Sequence, residues 1–141
     1  MINIKRHIKL FLKKNKIRCK VKEEKIHFNV PMSFSCQTFD GHPMITSSSY
    51  FGYNEEAIRY GHKHSYSHLS FKDFLNMMIA HEIGHYLDIS NGSISLEINS
   101  ESLSKIKSEK GAWVLGREYV PDNLLEDYDK MNKENLDLYK K

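Results

Sequence analysis

The sequence predicts one small α+β domain, and three observations lead there. Apolar residues recur at helical spacing in four separate stretches, and two short strand-like runs follow the first of them. The chain has 141 residues, of which 40% are hydrophobic and 28% charged, enough for one compact core and too little for two comfortable ones. A single domain over residues 1–141 is therefore expected, with a small sheet packed on helices.

Ile4, Ile8, Phe11 and Leu12 stand at helical spacing with lysines between them, which predicts an amphipathic helix over residues 2–16. Residues 17–22 and 25–30 read as two strands about a Glu23-Glu24 turn, ended by Pro31, so residues 1–30 form a basic helix plus a β-hairpin. From Ser33 to His68 the pattern weakens. Asp40-Gly41-His42-Pro43 reads as a turn, residues 43–51 as a strand, and residues 52–61 as a loop with one helical turn at 55–60. Ser70, followed three residues on by Asp73, marks a helix start before an apolar run to Ile89, and Asn91-Gly92 stops it. A further helix is expected from Glu101 to Val120, where Pro121 ends it. Leu124, Leu125, Tyr128, Met131 and Leu138 then mark a last amphipathic helix within residues 122–141.

Composition excludes several classes. No stretch approaches the roughly 18 apolar residues that span a bilayer, and the first residues lack the apolar run of a secretory signal. A soluble, cytoplasmic protein without membrane contact is the expectation. Cys19 and Cys36 have no metal-type or redox-type spacing and are expected to be reduced and at least half-buried. Residues 1–25 carry ten Lys/Arg against Glu23 and Glu24, so the net charge of +3 divides into +8 there and −5 in the remainder. Such an end either meets nucleic acid or an acidic partner, or is the solvated face of an amphipathic helix. The second is the favoured reading, since no aromatic series interleaves the lysines.

His81-Glu82-Ile83-Gly84-His85 is an H-E-x-x-H motif inside the predicted 70–89 helix. At 3.6 residues per turn the two imidazoles share one face and can grip one ion at about 2.0–2.1 Å, with Glu82 beside them as general base. Zinc there is a Lewis acid that lowers the pKa of water from about 15.7 to about 7, and the carboxylate can accept the released proton. His81, Glu82 and His85 fall on the same side of the wheel as Phe71, Phe74 and Met78, the side expected to face the protein. Three ionisable groups so placed are costly unless something satisfies them, and a metal does.

A catalytic site needs a third protein ligand with one position left open. The longer metzincin motif would require Gly at 88 and His or Asp at 91, where this chain has Asp88 and Asn91. A glutamate from a following helix remains, from among Glu97, Glu101, Glu109 and Glu118. Glu109 shares the apolar stripe of Ile106, Ala112, Trp113 and Gly116. Glu118 lies on the polar side, while Glu97 and Glu101 fall in or near the connection. Glu109 is the expected third metal ligand.

Taken together, His81-Glu82-Ile83-Gly84-His85, Glu109-x-x-Ala112, Leu115-Gly116 and Tyr119-Val120-Pro121 resemble the ImmA/IrrE metallopeptidases, which are of the gluzincin type. The resemblance covers roughly residues 70–121, the expected metal-binding core, and it too assigns the third ligand to Glu109. It implies a minimal zincin-like fold, in which a small twisted sheet rests on the active-site helix and a second helix brings the glutamate. It further implies a zinc peptidase acting on a protein or peptide substrate such as a transcriptional repressor. Gly111 and Gly116 are unusual residues inside a helix, and no helix-turn-helix partner domain is recognisable.

Other residues have weaker claims. His62, His64 and His68 could stabilise an oxyanion or form a second metal site, or could simply occupy a polar surface. Asp88 could accept a hydrogen bond from a ligand imidazole. The 43–51 strand could align an extended peptide, and Trp113 reads as a core anchor. The alternative function is a zinc-stabilised binding module for nucleic acid or a repressor, without peptidase activity.

Overall fold

The computed structural model describes residues 2–25, 30–92 and 101–138, with the backbone alone for 101–104. It has an α+β fold, in which five helices surround a small mixed sheet. Helix α1, Ile4–Lys14, is capped by Asn3, whose side chain accepts the Arg6 N–H. It buries Ile4, Ile8 and Leu12, every fourth residue, against the core, as the sequence pattern predicts.

Five strands follow: β1 Lys20–Glu23, β2 Met32–Ser35, β3 Gln37–Phe39, β4 His42–Met44 and β5 Tyr50–Tyr53. Strand β5 is the centre of a three-stranded sheet in the order β1-β5-β2, parallel to β1 and antiparallel to β2. Two sequence expectations are corrected here. The expected hairpin from 17–30 gives way to a long-range pairing of β1 with β5; residues 26–29 of its second strand lie outside the described residues. The expected strand at 43–51 is two strands of different sheets. Strand β4 pairs with β3 across an Asp40-Gly41 turn, in which both residues hold positive φ (50° and 79°). Thr46 and Ser49 then fold the chain back, each accepting a hydrogen bond from the other's backbone N–H, before β5 begins.

The expected loop at 52–61 is corrected as well. It contains the end of β5 and most of helix α2, Glu55–Ser65, whose first turn is capped by Asn54. Helix α3, Phe71–Ser90, matches its sequence signals: Ser70 Oγ accepts the Asp73 N–H, and Gly92 follows with φ 83°. Ser70→Ala removes that cap. Denaturant unfolding should show a loss of about 1 kcal/mol, and an unchanged midpoint would mean that α3 starts elsewhere.

Helix α3 is the central element. Over Met77–Gly84 it is buried on every side, so the one-sided face expected from the wheel is replaced by a helix with no solvent side over those turns. The sheet covers one flank through Phe34, Phe51 and Tyr86, whose ring centroids are 5.0 to 6.3 Å apart. Helix α4, Glu101–Gly116, covers another. It ends four residues earlier than Val120 because the chain tightens into 3₁₀ turns at Arg117–Tyr119 and Asp122–Leu124. Helix α5, Leu125–Asp137, then buries Tyr128, whose hydroxyl donates to the Trp113 carbonyl.

Candidate metal centre

The site is built where α3 and α4 cross. At Gly84 an added Cβ would overlap the Ala112 backbone, and at Gly116 it would overlap the Ala80 carbonyl. Only small residues permit this approach of two helix backbones. The contacts pair residues 84 with 112 and 80 with 116, so the helices run antiparallel. Glu109, one turn before Ala112, is thereby brought to His81 and His85, which flank Gly84. The spacing of the two sequence motifs follows from that crossing.

Glu109 Oε2 lies 2.8 Å from His81 Nε2 and 3.3 Å from His85 Nε2. The imidazole rings stand nearly perpendicular, at 85°, with centroids 4.9 Å apart. One donor atom from each of the three residues lies within 4.8 Å of the others, and no other such His/Cys/Asp/Glu group occurs among the described residues. Ligands about 2.1 Å from one tetrahedral ion stand about 3.4 Å apart, the scale of the two distances to Glu109. Two imidazole nitrogens and one carboxylate oxygen suit zinc by ligand type, so the residues fit the metal.

Electrostatics reflect the crowding. Burial pushes the Glu82 carboxyl up, while His85, His81 and the Phe34 backbone N–H oppose that shift. Burial also acts upward on Glu109, yet its bonds to both imidazoles hold it well below the usual carboxylate range. Burial acts downward on His85, but the Glu109 bond and the charges of Glu82, Glu109 and Asp88 raise it to about 8.

The remaining sequence candidates take other partners. Asp88 sits against Gly111 of α4 and adds its charge to the surroundings of His85. It does not hold His81, whose buried Nδ1 has no hydrogen-bond partner. His62 Nε2 bonds the Leu69 carbonyl at 2.6 Å, His68 Nε2 bonds Asp127 at 2.7 Å, and His64 lies against Tyr60. The three therefore form neither a second metal cluster nor a lining of the cleft described below. Glu118 is exposed in a 3₁₀ turn, Glu97 lies outside the described residues, and the Glu101 side chain is likewise not described. Trp113 packs against the core, with its indole N–H donating to Asp129.

One positioning residue is absent from the sequence reading. Asn135 of α5 donates from Nδ2 to Glu109 Oε2 at 3.0 Å, which fixes the carboxylate that faces both imidazoles. Its signal was present: Asn135 falls at helical spacing among Tyr128, Met131 and Leu138, a polar residue within an apolar stripe. A cleft of about 440 Å³ adjoins the cluster, lined by Met32, Tyr66, Phe74, Met78, Met131 and Asn135 together with His81, Glu82 and Glu109. No protein family, curated protein or solved structure matches this chain.

Proposed function

We propose that the chain is a zinc-dependent peptidase that hydrolyses peptide bonds by activating water, with His81, His85 and Glu109 holding the metal and Glu82 as general base. The observation that carries this reading is the convergence of two imidazole nitrogens on the Glu109 carboxylate, beside a cleft that His81, Glu82 and Glu109 line. Two histidines and one glutamate are a donor set that catalytic zinc uses, with the fourth position left to water or substrate.

When bound, zinc supplies Lewis acidity toward water and the substrate carbonyl. The chain's own residues do the rest. Asn135 and the two imidazoles fix Glu109, so the donor set is oriented before substrate arrives. Glu82, buried and neighbouring the ligand set, accepts the proton of the attacking water and delivers it to the leaving amine. The apolar walls of Met32, Phe74, Met78 and Met131 exclude bulk water and accommodate a peptide.

The resemblance to ImmA/IrrE peptidases supports a regulatory protein, such as a repressor, as the substrate class. A cytoplasmic setting is part of this reading and accords with two unbridged, half-buried cysteines. Metal analysis tests the centre directly. The purified chain should hold one zinc, and Glu109→Ala should lose it together with peptide hydrolysis. Stoichiometric zinc retained by that variant removes Glu109 from the ligand set.

A further inference from the structure

Away from the cleft, α1 and the segment leading into β1 present a second built surface. A recess of about 610 Å³ is lined by Lys9, Lys13, Lys16 and Arg18 around an apolar bed of Leu12 and Ile17. All ten Lys/Arg of residues 1–25 are exposed, and among the described residues none makes an ion pair. Elsewhere the chain does pair its arginines, Arg59 with Glu55 and Arg117 with Asp129. Several described lysines elsewhere make no ion pair either, but they are interspersed with 16 of the chain's 18 Asp/Glu, whereas residues 1–25 carry ten cations against two carboxylates. The positive charge is therefore concentrated over α1 and β1, where it attracts a polyanion.

We propose that this recess binds the phosphate backbone of a nucleic-acid duplex, independently of base sequence. Lys5, Lys9 and Lys13 follow one another at four-residue steps, about 6 Å along the helix. A row of regularly spaced cations matches a polymer with one charge at every repeat better than it matches an acidic peptide of irregular charge. The concave shape suits a rod-like strand and not a flat lipid surface. The apolar face that a membrane helix would insert is already buried, as Ile4, Ile8 and Leu12 are at most 2% exposed. Of the two rings of α1, Phe11 packs against the core and the half-buried His7 is bonded to Asn76 of α3, so no exposed stacking platform for unpaired bases is offered. Contacts to phosphate alone give affinity without base readout.

Fluorescence anisotropy of a short DNA duplex of arbitrary sequence, titrated with the full chain at several salt concentrations, tests the proposal. Four phosphate contacts give a slope of log K against log salt of about −3.6, a loss of about 150-fold between about 50 and 200 mM salt. The single variants Lys9→Gln and Arg18→Gln should each flatten that slope by about 1. The combination Lys9→Gln, Lys13→Gln, Lys16→Asn and Arg18→Gln should abolish salt-dependent binding while circular dichroism and zinc content stay unchanged. Asn is chosen at residue 16 because Lys16 holds φ 61°, a region asparagine tolerates. Absence of salt-dependent duplex binding, or single variants that bind with the parent slope, overturns the proposal. So does polyglutamate of matched charge competing as well as the duplex, which would assign the recess to acidic proteins, or vesicles of anionic lipid competing equally, which would assign it to membranes.

Discussion

Glu82→Gln leaves zinc bound at full stoichiometry and lowers peptide hydrolysis by about 10²- to 10⁴-fold, the usual worth of a positioned general base. The substitution is close to isosteric, so the turn of α3 that carries His81 and His85 keeps its packing. The carboxamide oxygen can still accept the Phe34 backbone N–H that faces the native carboxylate. What disappears is the capacity to take a proton from water and return it to the leaving amine. Stability should hold or rise, because Glu82 is a buried carboxyl whose ionisation burial opposes, and Gln needs no charge there. Three measurements on one variant separate the roles. Unchanged turnover removes Glu82 from the mechanism, and loss of zinc would make it a ligand. A collapse in unfolding midpoint would show that its charge supports the fold.

The parts of the molecule that were legible in sequence are those where local chemistry and tertiary packing agree. Ser70, Asp73, Asn91 and Gly92 bracket α3 because helix ends leave backbone groups that these side chains and a positive φ satisfy locally. His81, Glu82, His85 and Glu109 were visible for another reason: ionisable residues at helical spacing among apolar ones conflict with burial unless they meet each other. The region from 30 to 65 was not legible in the same way. Its strands run only three or four residues, and β5, Tyr-Phe-Gly-Tyr, is buried at its last three positions, so the alternation that betrays a strand is missing. The pairing of β1 with β5 joins residues about thirty apart and leaves no mark in either segment. Asn135 was readable by the argument applied to Glu109, but a single amide on a polar helix draws less notice than a charge. The three histidines before α3 show the converse, since their clustering in sequence suggested a site and their side chains point to Leu69, Tyr60 and Asp127.

Gly84→Ala should destabilise the chain by about 3 kcal/mol or more and weaken zinc binding, although alanine is the better helix former. Propensity alone favours the substitution by about 1 kcal/mol in a helix interior. Against it stands the α3–α4 crossing, where the new Cβ would fall inside the contact distance of the Ala112 backbone. Overpacking usually costs about 1–3 kcal/mol when a side chain can yield; here the obstructing atoms are helix backbone, which moves only if α4 moves with it. Displacing α4 carries Glu109 away from His81 and His85, so the same methyl group that strains the core should loosen the metal. Gly111→Ala is the matched control within α4. Its Cβ would meet only the Asp88 carboxylate, nearest at 3.3 Å, so a half-buried side chain and no backbone has to give way, and by only a few tenths of an ångström. There propensity should win, giving a gain of about 0.5–1 kcal/mol. Denaturant unfolding and zinc titration of the two variants check the argument together. If Gly84→Ala proves as stable as the parent chain with zinc affinity intact, the backbone crossing does not set the distance between the two motifs.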